Sequence, residues 1–144
     1  MTQPVETLDA ATYQHRLRVY WEDTDAGGIV FYANYLKFFE RARTEWLRGL
    51  GFGQERLRTD TGAIFVVADT SVRYLSPARL DDLIEVTVLP VDLGRVSMTL
   101  QQQAWRHGSA PAQLLAEGSI RIGCVDAGTF TPRRIPNGIL EKLR

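Results

Sequence analysis

The order of patterns along this chain predicts an α+β fold, with an antiparallel sheet of about five strands curled around one long helix. Three observations carry that prediction. A strongly amphipathic helical pattern, aromatic along its apolar arc, runs from Ala33 or Asn34 to Leu50. From Ala63 onward the chain is β-rich, and its segments are joined by short turns of hairpin type. The length, 144 residues with 44% hydrophobic and 24% charged, suits one domain that buries a core of its own.

Taken in order, residues 1–12 are expected as a flexible arm, and residues 13–144 as a single domain with no repeat or linker to divide it. From Tyr13 the pattern alternates. Tyr13, His15, Leu17, Val19 and Trp21 share one face of a first strand, and Gln14, Arg16, Arg18 and Tyr20 share the other. Residues 23–28 break the strand, and the glycine pair permits a tight turn. In the helix that follows, Tyr35, Phe38, Phe39, Ala42, Trp46 and Leu50 fall on one arc; Lys37, Arg41, Thr44 and Arg48 fall opposite. Those aromatics read as core. Asn34 suits the N-cap and Gly51 the C′ position. A short helical or irregular piece (54–58) precedes strands at 63–75, 83–91, 97–106 and 114–125. Asp81-Asp82, Asp92-Leu93-Gly94-Arg95 and His107-Gly108-Ser109 read as the turns between them. Pro132 and Pro136 make the tail unfit for a central strand. One sheet covers one helix and leaves its edges open, so oligomerisation is expected.

Seventeen acidic residues balance seventeen basic ones. That balance argues against a broad footprint for nucleic acid or anionic lipid. Cys124 is the single cysteine, so no intrachain disulfide forms; its apolar neighbours read as a buried structural site. With only His15, His107 and Cys124 as soft ligands, no metal site and no cofactor are expected. No run approaches membrane-spanning length and no targeting pattern opens the chain, which reads as cytoplasmic.

The candidate chemistry lies in Asp23-Thr24-Asp25-Ala26-Gly27-Gly28-Ile29-Val30-Phe31-Tyr32-Ala33-Asn34-Tyr35. Asp25 is either a turn aspartate that bonds its own backbone or a carboxylate working beside a helix N-terminus. Asp23, nearer the strand end, reads as a turn or supporting residue. The N–H groups of Phe31, Tyr32 and Ala33 are candidates to polarise a carbonyl oxygen, because the first turn of a helix leaves them unpaired. Glu40 reads as a partner of Arg43 or Thr44, or as a second carboxylate facing a cleft between subunits. Glu45 reads as pairing with Arg41 and Arg48. Arg95, with Val96 and Ser97 after it, and Arg133-Arg134 are either solvated or placed to meet an anionic group.

With these residues in view, the chain resembles the hot-dog-fold acyl-CoA thioesterases. It is most similar to the 4-hydroxybenzoyl-CoA thioesterase-like group, including the Tol–Pal-associated acyl-CoA thioesterases. Arg18-Val19, then Thr24 through Phe31, carry the likeness in order and spacing. Tyr35-Leu36-Lys37-Phe38-Phe39-Glu40-Arg41-Ala42-Arg43, Arg73-Tyr74-Leu75-Ser76-Pro77-Ala78 and Ile135-Pro136 continue it. The resemblance implies that Asp25 acts on the thioester as nucleophile or general base, and that the Tyr32 N–H holds the thioester oxygen. Gly28 and Phe31 are implied to border the substrate, and Arg95 and Ser97 to contact the coenzyme A phosphates. It also implies a homodimer, with dimers pairing into a homotetramer, and a link to cell-envelope or phospholipid machinery. Many Tol–Pal-associated members have histidine where this chain has Tyr32; tyrosine is more like the hydroxybenzoyl branch. Two other functions compete. A hot-dog enoyl-CoA hydratase or dehydratase wants a histidine paired with a carboxylate in the cleft, and neither His15 nor His107 falls in the loop-helix segment. A non-catalytic acyl-CoA-binding or scaffold protein would keep the fold without the reaction.

Overall fold

The computed structural model describes residues 12–143. All of the expected arm except Thr12 lies outside the described residues. The elements are β1 (Tyr13–Arg18), a one-turn 3-10 helix (Trp21–Asp23), α1 (Asn34–Gly49), α2 (Gln54–Thr61), β2 (Ala63–Tyr74), β3 (Leu83–Leu93), β4 (Ser97–Arg106), β5 (Gln113–Asp126) and α3 (Asn137–Leu143). The strands form one sheet in the order β1-β3-β4-β5-β2, with every neighbouring pair antiparallel. The sheet closes around α1, as the α+β reading predicts.

Alternation fixes which side of each strand meets the helix. Ile84, Val86 and Val88 of β3, Met98, Leu100 and Ala104 of β4, and Ile120, Ile122 and Cys124 of β5 pack against Phe38, Phe39, Ala42 and Leu47 of α1. Phe38 and Phe39 are fully buried, and each such side chain contributes about 1.5–3 kcal/mol through area removed from water. Gly118 lets the helix come this close: a Cβ there would meet the Phe39 ring at 3.2 Å and the Ser71 carbonyl oxygen at 3.1 Å. The helix ends as expected at Gly51, whose φ is 99°. Gly51 N–H donates to the Arg48 carbonyl (3.0 Å) and Phe52 N–H to the Leu47 carbonyl (2.8 Å), the paired bonds of a Schellman motif.

Several details depart from the sequence reading. Asn34 is not the N-cap; Ala33 occupies that position in a helical conformation without a side-chain cap. The Asn34 side chain instead donates to the Asp23 carbonyl (2.8 Å), tying the helix start to the preceding loop. Trp21 leaves the β1 face, because the strand ends at Arg18 and the 3-10 turn swings the indole into solvent, where it is 80% exposed. Leu47 joins the buried arc, while Leu50, past the last full turn, is only partly buried. β3 runs on to Leu93 because a bulge between Pro90 and Asp92 accommodates the proline's missing donor. The tail folds as α3, with Pro136 just ahead of its first turn and its carbonyl accepting Ile139 N–H (3.0 Å).

Candidate active site

The loop between the 3-10 turn and α1 is tightly pinned by its backbone. Asp23 is buried, its carboxylate accepts Tyr20 N–H (2.8 Å), and its carbonyl accepts Phe31 N–H (2.9 Å). Its role is therefore to close the loop. Asp25 N–H donates to the Ile29 carbonyl (2.9 Å), and Gly28 N–H donates to the Asp25 carbonyl (3.0 Å). Gly28 sits at φ 82°, where a side chain is disfavoured. The Asp25 side chain is exposed, and its Oδ1 accepts Gly27 N–H (2.9 Å). This is the Asx-type turn of the first reading. It occupies one carboxylate oxygen, and Oδ2 has no partner among the described residues. The turn thus orients the carboxylate that the second reading needs.

The three candidate amides separate. Phe31 N–H is spent on Asp23, which removes it as a carbonyl donor. Tyr32 and Ala33 N–H have no acceptor among the described residues, and both stand at the mouth of α1, where the helix dipole adds to their field. The Tyr32 ring is 62% exposed and lies 4.9 Å from the Phe31 ring and 5.9 Å, edge-on, from the Tyr74 ring. Behind it a cavity of about 240 Å³ is lined by Ile29, Val30, Tyr32, Tyr35, Tyr74 and Pro77, among others. The Tyr35 hydroxyl accepts Ala78 N–H at 3.3 Å. Burial pushes the Tyr35 phenol above its ordinary pKa, against the opposing pull of that backbone bond. Burial also pushes Tyr74 up. The sequence reading did not place Tyr74 at this wall; its position at the end of a long β-rich strand was the available signal.

Arg95 and Ser97 are not brought to this loop. They lie at the other end of β4, whose ten residues span about 30 Å at the usual rise per residue. There a cleft of about 360 Å³ is lined by Leu93, Arg95, Arg134, Asn137 and Glu141, among others. Arg95 and Arg134 have no salt-bridge partner among the described residues, whereas Arg133 binds Asp126 (3.1 Å). Glu40 accepts the Thr44 hydroxyl at 2.5 Å and borders a groove of about 380 Å³ between α1 and the edge strand β2. Of the two expected Glu45 pairs, the one with Arg48 forms and the one with Arg41 does not. Arg43, lowered in pKa mainly by burial, donates to Gln102 (3.0 Å). Gln102 is fully buried and donates in turn to the Phe39 carbonyl (3.0 Å). The sequence reading missed this polar link, although Gln102 stands at an inward position between Leu100 and Ala104. His107 does find a carboxylate, Glu85 (3.1 Å), but Glu85 alternates with Ile84 and Val86 and so faces away from α1. Among the described residues no group of His, Cys, Asp and Glu is placed to hold a metal ion, and no helix is long and apolar enough to cross a membrane.

The family model of the thioesterase superfamily matches residues 27–111, from just past Asp25 through nearly all of the β4–β5 connection. The chain belongs to the thioesterase superfamily. The acyl-CoA thioester hydrolase YbgC of Escherichia coli is 38% identical over 137 residues, covering 95% of this chain and 99% of that protein. A probable thioesterase from Bartonella henselae shares the fold with a TM-score of 0.81 at 30% identity, over 88% of this chain and all of that one. A 1,4-dihydroxy-2-naphthoyl-CoA thioesterase from Synechocystis gives a TM-score of 0.83 at 19% identity, over 92% and 96%, a likeness of fold. The five-stranded antiparallel sheet around α1 is thus the hot-dog fold of this superfamily.

Proposed function

We propose that this enzyme hydrolyses acyl-CoA thioesters to the free acid and coenzyme A. The observation that carries the reading is the pairing, on one pinned loop, of a carboxylate with an unpartnered oxygen (Asp25) and an unpartnered helix-mouth amide (Tyr32). In this reaction the thioester carbonyl oxygen is held by Tyr32 N–H as it gains negative charge. Asp25 either attacks the carbonyl carbon, giving an anhydride that water then opens, or removes a proton from the attacking water. In both routes the C–S bond breaks and coenzyme A leaves as a thiolate, a leaving group stable enough to need no strong acid. Gly28 and Phe31 border the substrate, and Arg95 and Ser97 meet the coenzyme A phosphates. Because those two residues lie a strand's length from Asp25, we read the working unit as a homodimer, with dimers pairing into a tetramer. The open edge of β2 and the groove beside it offer the joining surface.

The test is thiol release from a panel of aliphatic and aryl acyl-CoA thioesters. Release that disappears in Asp25→Asn supports the reading. Binding without release would replace it with a non-catalytic acyl-CoA-binding role, and hydration of an enoyl-CoA with the thioester kept would replace it with hydratase chemistry. Oxygen-18 entering the Asp25 carboxylate in a single turnover supports the anhydride route. Light scattering of the purified protein reads the assembly directly.

A further inference from the structure

We infer that Arg106 is a positioning residue for the reaction loop: paired with Asp82, it clamps residues 76–82, and that segment sets where Asp25 and the Tyr32 amide stand. The inference rests on the thioesterase reading above for its catalytic consequence, but the clamp itself is a matter of geometry.

Arg106 ends β4 and turns its guanidinium onto both ends of the 76–82 connection. One nitrogen donates to the Asp82 carboxylate and another to the Pro77 carbonyl (2.9 Å). Its Nε donates to Gln113 (2.9 Å), and Gln113 donates to the Ser76 hydroxyl (3.1 Å). Asp82 also accepts Arg79 N–H (2.9 Å). The Arg106 and Asp82 side chains keep only 21% and 22% of their surface exposed, so solvent screens this pair less than an open surface one. The connection needs such restraint because Asp81 is held at φ 72°, a conformation that non-glycine residues avoid.

The other side of the same connection carries the active loop. Val30 N–H donates to the Ala78 carbonyl (2.9 Å), Ile29 bridges Arg79, and Ala78 N–H donates to the Tyr35 hydroxyl (3.3 Å). Residues 29–30 close the turn that orients Asp25, and Tyr35 ties the start of α1, where Tyr32 N–H has no acceptor among the described residues, to this connection. The planar fork of an arginine can hold a carbonyl and a carboxylate at once; a lysine cannot span both. Neither Arg106 nor Asp82 touches Asp25, so their effect travels through this backbone.

The experiment compares purified full-length wild type, Arg106→Ala, Arg106→Lys and Asp82→Asn. In Arg106→Ala we expect kcat to fall about 10- to 100-fold through misplacement of the reacting groups, with KM changed by less than about threefold. Methylguanidinium in the buffer is expected to restore part of the lost kcat, and Arg106→Lys to restore little. Amide hydrogen exchange reads the clamp without catalysis. Val30 and Phe31 N–H should exchange faster, while Cys124 and Gly94 N–H at the far end keep their protection. A folded Arg106→Ala with wild-type kcat, or with unchanged exchange at Val30 and Phe31, overturns the clamp. So does an equal loss of protection at both ends, which marks general destabilisation. If Arg106→Ala fails to fold, Asp82→Asn carries the same comparisons. Turnover that survives Asp25→Asn overturns the thioesterase reading instead, and the exchange measurement still decides the clamp.

Discussion

At one end of the sheet, residues 20–35 are laced to one another through the N–H groups of Asp23, Asp25 and Phe31 and to residues 75–82 through Val30 N–H, each bonded at 2.9–3.0 Å. At the other end, the 94–96 hairpin and α3 enclose a cleft whose two arginines, Arg95 and Arg134, have no carboxylate partner among the described residues. The first end spends its loop backbone on itself and leaves Asp25 Oδ2 and the helix-mouth amides of Tyr32 and Ala33 without partners among the described residues. The second leaves over positive charge. A pinned loop with a few free groups suits chemistry, where a small misplacement is costly. Unpartnered cations on a hairpin suit the capture of an anion. The separation between the ends also means that one chain does not gather all the residues implied for the reaction.

The sharpest way to break this division is Asp25→Asn. We expect thiol release to fall about 10²- to 10⁴-fold, the range for loss of a catalytic base, with an unchanged thermal melt; a folded variant with normal turnover would remove the first end from the chemistry. Next in size, Arg95→Ala and Arg134→Ala should raise KM for acyl-CoA about tenfold, as for the loss of a charge-assisted bond, and leave kcat alone. A truncated thioester without the nucleotide should show no such difference, and an equal effect on it would deny the cleft its anion role. Gly62→Ala, near Arg133 at the far end, imposes a side chain at φ 76°. It should cost about 1–2 kcal/mol in urea unfolding without changing kcat, so a change in kcat would show that the two ends are coupled.

The smallest effect at neutral pH is expected from Tyr35→Phe at the loop end, about 0.5–1.5 kcal/mol for one lost hydrogen bond. Its signature is alkaline. Burial raises the folded-state pKa of Tyr35, so the unfolded chain ionises first, near the ordinary value of about 10. The stabilisation is complete below that pH and is lost as pH rises through the folded-state value. Unfolding in urea across that range should show a steeper decline for the wild type than for Tyr35→Phe. Parallel curves would mean that the phenol is not held neutral by the fold.

Much of this was legible in the residues. Alternation from Tyr13, the aromatic arc of α1, Gly51 as the helix stop and the hairpin turns all rest on local periodicity and backbone preference, which neighbours in sequence decide. Asp25 was legible as a turn residue, while its catalytic role is what the motif implies; the turn bond uses Oδ1 and leaves Oδ2 for the proposed chemistry. Asn34 was misplaced because its side chain bonds a carbonyl eleven positions back, a partner that capping rules do not consider. Trp21 was misplaced because alternation holds only while the strand lasts. α3 was missed because Pro136, read as a strand breaker, is equally a helix opener.

The sequence alone determined the long helix, the five strands and their order, and singled out the segment proposed to carry the chemistry, because periodicity, glycine conformations and the spacing of a motif are properties of consecutive residues. Only the tertiary structure decided which groups are free to act. Phe31 N–H is consumed by Asp23 while Tyr32 N–H is not, Arg106 reaches from β4 to Pro77 and Asp82, and Arg95 ends far from Asp25. Each of these depends on a partner brought near by packing, and a hydrogen bond formed across such a distance leaves no local pattern in the chain.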